Sequence, residues 1–248
     1  MTDVARLAMW SGPRNISTAL MRSWENRADS LVVDEPLYGH YLSVTGVDHP
    51  GRDEVLAVAE TDWRCVVARL LREAPSGVAV VYQKHMAHHL TPEIKPSWLS
   101  ELTNVLLIRD PREVVASYLR SRADVTLADL GLQQQVQLYD ELAAVAAPPM
   151  VIDSADFLQR PADYLRALCD LVRVPFTERM LRWPAGPRDT DGVWARYWYD
   201  AVCRSTGFAA YEPRDVSLTG RGAEVAEECW PLYERLRVHR WRPNGLLA

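Results

Sequence analysis

Short apolar runs alternate along this chain with longer stretches in which apolar positions recur every three or four residues. The runs at 7–10, 31–33, 78–82, 104–108 and 150–152 are too short for helices and predict strands. The β-branched run at 78–82 reads as a strand covered on both faces. Between these runs the spacing predicts helices over about 16–25, 54–73, 92–102, 111–119, 127–147 and 161–172. Pro111 with Glu113 in the first turn marks a helix start, and Pro75-Ser76-Gly77 marks a stop. Residues 45–53, with Gly46, Pro50 and Gly51, read as a loop. Strands alternating with helices in this way predict an α/β protein, three layers α/β/α on a central parallel sheet. After Pro175 the pattern changes to a short helix at 177–182, a break at 183–187, an aromatic-dense stretch at 191–199 and a final helix at 223–237. The expectation is one domain over 1–248, with 183–248 packing on or covering a cleft. The aromatics there fit packing against the sheet or a lid stacking on a flat ligand group.

The first strand runs into the first helix through a tight turn, and that junction carries the most chemistry. Unpaired N–H groups and the helix dipole make a helix start after a glycine turn a place for an anion. In the turn Gly12-Pro13-Arg14-Asn15-Ile16-Ser17-Thr18, Arg14 adds a full charge, and Asn15, Ser17 and Thr18 add side-chain donors. A nucleoside-triphosphate loop of the form G-x-x-x-x-G-K-[ST] is absent: Ser17, Thr18 and Ala19 stand where glycine, lysine and the magnesium-binding hydroxyl belong. The loop therefore suits an anion other than Mg-ATP.

Three further places hold candidate chemistry. Asp34-Glu35-Pro36 ends the second strand, where open α/β sheets bind ligands, and Tyr38, His40 and Tyr41 follow. Beyond the third strand come Lys84, His85, His88 and His89, read as polar groups of a loop at the rim; without H-E-x-x-H spacing or a carboxylate nearby in sequence, no metal site is assigned. Arg109 stands at the end of the fourth strand, with Ser117 two turns into the next helix.

Composition narrows the class without naming it. With 248 residues, 48% hydrophobic and 25% charged, the chain is long enough for a sizeable core. A net charge of −5 with mixed signs argues against nucleic acid as a partner. No apolar run approaches the roughly 20 residues of a membrane span, and no signal-peptide pattern is present, so a cytoplasmic location is expected. Cys65, Cys169, Cys203 and Cys229 are far apart and read as reduced, with Cys65 and Cys169 on apolar helix faces.

Three stretches together resemble the sulfotransferase superfamily, whose donor is 3′-phosphoadenylyl sulfate (PAPS). The turn 12–18 is similar to that family's loop for the 5′-phosphosulfate. Ile108-Arg109-Asp110-Pro111-Arg112-Glu113-Val114-Val115-Ala116-Ser117-Tyr118 looks like its 3′-phosphate motif, an arginine and a serine eight residues apart (117 − 109 = 8). Residues 153–161, leading into Leu168-Cys169 and Val174-Pro175-Phe176, are similar to the region after its last central strand. The subgroup it most resembles shares W-S-G-P-R-N-I-S-T, D-E-P-L-Y and D-G-x-W with domains fused to aminotransferase-like proteins in eukaryotes. The resemblance implies a P-loop-like fold and metal-free sulfuryl transfer from PAPS to a hydroxyl or amine of a small acceptor, leaving 3′-phosphoadenosine 5′-phosphate (PAP).

By the same resemblance, Gly12, Pro13, Arg14, Asn15, Ile16, Ser17, Thr18, Arg109, Ser117 and Arg221 hold the nucleotide. Glu35, in an E-P context, is the first choice for general base, with His88 and His85 in reserve and Lys84 and Arg14 on the sulfate. A carboxylate paired with Arg14 is the structural alternative for Glu35. Tyr38, His40, Tyr41, His85 and Trp194 are candidate acceptor contacts, and a homodimer is left open. Met86 stands where the cytosolic-type K-T-H segment has its histidine, which keeps open a module that binds nucleotide without turnover. A nucleotide-type kinase is the third alternative.

Overall fold

The computed structural model of the chain describes residues 4–122, 124–213 and 215–243. The first three and last five residues of the expected domain therefore lie outside the described residues. Five strands, β1 (Ala5–Ser11), β2 (Ser30–Asp34), β3 (Val80–Met86), β4 (Thr103–Ile108) and β5 (Met150–Asp153), form one parallel sheet in the order β2-β3-β1-β4-β5. Successive side chains of β1 point to opposite faces, so one strand seeds two cores. Leu7 and Met9 join Tyr82, Val105, Leu107 and Ile152 in one cluster. Ala8 and Trp10 join Leu106, Ile108 and Val151 in the other.

Helices close both faces. On the Leu7 side lie α1 (Ser17–Glu25), α2 (Tyr38–Thr45), α3 (Arg52–Val58), α8 (Ser154–Gln159) and α9 (Pro161–Leu171). On the Trp10 side lie α4 (Trp63–Leu70), α5 (Pro111–Tyr118), α7 (Leu132–Val145) and α12 (Gly220–Arg237), the last preceded in the chain by the short helices α10 (Ala195–Trp198) and α11 (Asp200–Cys203). The predicted three-layer α/β/α arrangement is what forms. Chain order runs from β1 outward to β2 and β3, then crosses to β4 and β5, so the switch point falls between β1 and β4. Ligands of open α/β sheets bind beyond the strand ends at such a point.

Several boundaries differ from the sequence pattern. The helix expected over 54–73 is two helices, because Ala59 turns extended and Asp62 caps a new start by accepting from Arg64 N (2.9 Å). That expected over 127–147 breaks at Gly131, left-handed at φ 68°, into α6 (Leu127–Leu130) and α7. Cys65 does not face the core: α4 buries Val66, Val67 and Leu70 and leaves Cys65 exposed, whereas Cys169 is buried as expected. The third strand does not stop at Tyr82 but continues through Gln83, Lys84, His85 and Met86, all buried. No helix among the described residues is long and apolar enough to cross a membrane.

Candidate active site

A cavity of about 620 Å³ opens at the carboxyl ends of the strands. One arm is built on the β1–α1 turn. Residues 13–19 line it, and no side chain caps α1. Asn15 Oδ1 accepts from Ile16 N (2.9 Å), and the first amides of α1 have no side-chain cap, which is what an anion-binding helix start offers. Ser17 and Thr18 are among those lining residues. Arg14 adopts a left-handed backbone (φ 55°), a conformation costing an L-residue about 1–2 kcal/mol. The turn it makes is used twice: the Arg14 carbonyl accepts from Arg109 Nη1 (2.6 Å), and Arg14 Nε donates to Ser117 Oγ (3.1 Å). Arg109 also donates through Nε and Nη2 to Glu113 Oε2 (3.1 and 2.6 Å). Burial, then the charges of Arg120 and Arg109, lowers the pKa of the Arg14 guanidinium. Arg14, Arg109 and Arg120 all line the cavity, and among the described residues only Arg109 of the three is paired with a carboxylate, so an anion beside them relieves their mutual repulsion.

The second feature follows from strand register. Asp34 of β2 lies beside Lys84 of β3, and because neighbouring residues of a strand point to opposite faces, Lys84 and His85 diverge. Lys84 Nζ donates to Asp34 Oδ1 (3.0 Å), Tyr199 Oη (2.7 Å) and, through a short contact, Glu35 Oε1. An ammonium has three protons, and these partners take all three. The Tyr199 hydroxyl accepts from Lys84 and from Trp194 Nε1 (3.2 Å), so its own proton goes to a carboxylate. Asp34 is the nearer, at 2.7 and 2.8 Å, with Glu35 at 3.2 Å. Asp34 Oδ2 further accepts from Gly192 N (3.2 Å).

Glu35 lines the cavity, and among the described residues its Oε2 has no hydrogen-bond partner. Burial raises the Glu35 pKa; Lys84 opposes the rise and Asp34 adds to it. Burial works against the Lys84 ammonium, yet the charges of Asp34 and Glu35 outweigh it and leave its pKa raised. Two carboxylates and one ammonium leave this buried group one negative charge in excess.

The other arm is walled by rings. Tyr38 Oη meets His49 Nδ1 (3.0 Å), His89 stacks on Tyr38 at 4.8 Å, and His88 stands edge-on to His89 at 4.5 Å. Burial lowers His88 to about 3 and His89 well below 6.5, with neighbouring positive groups adding to the effect. No three His, Cys, Asp or Glu side chains converge on a metal-holding geometry among the described residues.

The sulfotransferase domain family profile matches residues 5–238. This chain belongs to the sulfotransferase domain family. Two curated relatives from Arabidopsis thaliana bear the names branched-chain-amino-acid aminotransferase-like protein 1 and 2. They are 38% identical over 250 residues and 35% identical over 239, covering 100% and 96% of this chain. The chain spans less than half of each relative, 44% and 42%. Among solved structures, a sulfotransferase domain from the curacin biosynthetic pathway superposes with TM-score 0.54 at 15% identity, covering 98% of this chain and 100% of that one. A sulfotransferase from Alicyclobacillus acidocaldarius gives 0.54 at 13%, covering 96% and 98%. At these identities the likeness is one of fold.

Within this sulfotransferase-family fold, the sequence candidates are sorted by position. Pro13 to Thr18, Glu35, Tyr38, Lys84, His88, Arg109 and Ser117 all line the cavity. Gly12 lies just behind it: a Cβ there would meet the Leu130 carbonyl oxygen at 2.3 Å, so glycine is needed for close approach of the 130–131 turn. Asn15 Nδ2 is tied to Leu107 O (3.1 Å), which anchors the loop to β4. Glu35 pairs with Lys84 rather than with Arg14, because β2 and β3 are neighbours.

Four of the five acceptor candidates fall elsewhere. His40 is fixed by Thr61 O (2.8 Å), Thr91 Oγ1 and Glu93 Oε1 (both 3.1 Å). His85 stacks on Trp10 at 4.0 Å in the opposite core, and burial there drives its pKa to about 3. Tyr41 packs behind His89 (4.8 Å), and Trp194 is buried under Tyr199. Arg221 is exposed on α12, paired with Glu224 and Glu228 and away from the cavity lining.

Sequence reasoning gave no role to Tyr199, His49, Trp198 and Arg120, all of which line the cavity, as does His89 of the histidine group expected at the rim. Trp198 and Tyr199 belong to the aromatic stretch already singled out, and residues 198–212 contribute much of that wall. His49 sits in a loop with no pattern to mark it.

Proposed function

We propose that this chain moves a sulfuryl group from PAPS to a hydroxyl or amine of a small acceptor and releases PAP. What carries the reading is that Arg14, Arg109 and Ser117 meet in one cavity beside an uncapped helix start. Arg109 and Ser117 hold the 3′-phosphate by charge-assisted hydrogen bonds. The amides opening α1 and the Ser17 and Thr18 hydroxyls hold the 5′ side, and Arg14, whose backbone forms the turn while its side chain touches Ser117, links the two. Bound there, PAPS supplies a sulfuryl group whose bond to the 5′-phosphate oxygen breaks as the acceptor oxygen or nitrogen attacks.

Negative charge growing on that leaving oxygen is met by donors already in place, and loss of one such donor commonly costs about 10²–10³ in rate. Glu35 takes the acceptor's proton on its free oxygen. A carboxyl raised by burial is a stronger base than a solvated one, and taking the proton discharges the cluster's excess negative charge. Asp34 then remains as counter-ion to Lys84. Lys84 thus acts on Glu35 and, with its three protons taken, is not assigned to the sulfate. His88 is a poor base because nothing near it favours the charged ring.

Calorimetry with PAP tests the reading. The wild type binds, and Arg109→Ala binds about 30- to 100-fold more weakly, the worth of one or two charge-assisted hydrogen bonds. No heat with wild type, or the same Kd in the variant, removes it. Label transfer from sulfur-labelled PAPS to an acceptor then separates turnover from binding alone.

A further inference from the structure

Asp34 and Glu35 are neighbours in sequence and share one ammonium, so a proton arriving at the pair has two carboxylates to choose between. Their surroundings differ. Asp34 accepts from Lys84 Nζ (3.0 Å), from Gly192 N (3.2 Å) and, as the nearer carboxylate, from Tyr199 Oη (2.7 Å). Among the described residues Glu35 accepts through Oε1 only, and of the two it is Glu35 that lines the cavity. Hydrogen bonds to a carboxylate favour its charged form, so the extra donors keep Asp34 ionised and send the proton to Glu35.

Those extra donors are aimed from a distance. Asp191, with a side chain 6% exposed, accepts from Nη2 of Arg22 (2.6 Å), a 1% exposed residue of α1. The same Asp191 oxygen accepts from Arg188 N (2.8 Å), which closes the turn before Gly192. Glu25, also on α1, takes Thr190 Oγ1 in a short contact and pairs with Arg188 Nε at 3.5 Å. A Cβ on Gly192 would meet the Trp194 ring at 2.1 Å, so glycine lets that ring fold back until its Nε1 reaches Tyr199 Oη (3.2 Å). The D-G-x-W stretch thus presents one donor to Asp34 through Gly192 and fixes the hydroxyl that supplies the other. The remaining groups facing the pair do not separate the two carboxylates. Lys84 of β3 contacts both, Tyr38 of α2 and Tyr82 of β3 stay protonated because burial pushes them up, and burial holds His88 and His89 neutral.

We infer that Asp191, anchored on Arg22, is a positioning residue: through the turn it holds, it decides that Glu35 and not Asp34 takes the proton. Calling that proton the acceptor's rests on the transfer reading above, whereas its place on Glu35 is a property of the folded chain and is measured without turnover.

Carboxyl NMR of the protein carrying isotope-labelled glutamate reads the Glu35 titration, its signal being the one absent from Glu35→Gln. Asp191→Ala and Asp191→Asn remove the same charge, but asparagine still accepts from Arg22 and Arg188 and keeps the turn. The Glu35 midpoint in the alanine variant falls at least about 0.5 pH unit below that in the asparagine variant, as Asp34 takes a share of the proton; the shift is a fraction of one hydrogen bond to a charged group. The double variant Arg22→Met, Asp191→Ala leaves no buried arginine unpaired and no change in net charge, so it carries the test if the alanine variant does not fold; its midpoint falls by the same amount below wild type. Equal midpoints in the alanine and asparagine variants, a double variant that titrates like wild type, or a wild-type Glu35 signal that does not titrate before acid unfolding each overturns the inference. A lower melting temperature with an unmoved midpoint assigns the ion pair to stability alone and overturns it as well. Failure of PAP to bind the wild type counts instead against the transfer reading, and the titration still decides where the proton rests.

Discussion

Replacing Lys84 with methionine isolates the electrostatics of the buried centre. Lys84 is 1% exposed and bridges Asp34, 2% exposed, and Glu35, 12% exposed. Methionine keeps the length and apolar stem but removes the only cation among these groups, turning an excess of one negative charge into two. Removing one partner of a buried pair costs about 3–5 kcal/mol, because the remaining charge is left uncompensated. For a chain of this size each kcal/mol moves the melting temperature about 2–4 °C, so a fall of about 6–20 °C is expected near pH 7.5.

The pH dependence carries the sharper test. Without the ammonium, the folded state binds protons at these carboxylates more readily than the unfolded chain does. The variant's deficit therefore shrinks as pH falls from about 7.5 toward 5, by up to about 1.4 kcal/mol per pH unit for each proton taken up. Buried histidines destabilise both proteins in acid and cancel in the difference. Urea unfolding of wild type and variant at several pH values measures this, and the double variant Asp34→Asn, Lys84→Met, with one buried charge again, recovers part of the loss. A variant as stable as wild type at pH 7.5, or a deficit that grows in acid, would refute the assignment of a tightly packed charge centre.

The other predictions test its neighbours. Tyr199→Phe leaves Trp194 Nε1 and one Lys84 proton without their acceptor, costing about 2–4 kcal/mol in stability. It also shifts the acid limb of the rate profile, since Glu35 loses a hydrogen-bonding neighbour; an unmoved limb and melting point would assign the aromatic segment to packing alone. Gly12→Ala forces the β1–α1 turn away from the Leu130 carbonyl, and PAP binding falls at least about tenfold by calorimetry. His85 and His88, with pKa values near 3 against 6.5 for the free side chain, take up protons only on unfolding. Stability from these groups is thus present near neutral pH and lost as pH falls from 6.5 toward 3. In His85→Phe the slope of unfolding free energy against pH drops by about 1.4 kcal/mol per unit over that window, and an unchanged slope contradicts a neutral buried ring.

The sequence alone determined the layers and marked the residues of the proposed anion clamp, because both depend on local order. Apolar runs of strand length between helix-spaced segments can close only as a covered parallel sheet, and the β1–α1 turn and the Arg109 to Ser117 spacing lie within single strand-to-helix units. Tertiary structure decided what surrounds Glu35 and which rings wall the other arm of the cavity. Asp34, Lys84 and Tyr199 meet because β2 pairs with β3 and the aromatic segment returns over the strand ends, contacts separated by 50 and 115 residues. Strand register likewise sent Lys84 toward the cavity and its neighbour His85 into the opposite core, a division invisible once the apolar pattern was taken to end at Tyr82. Polar side chains can continue a buried strand when partners from distant elements satisfy them, and those partners exist only once the chain has folded.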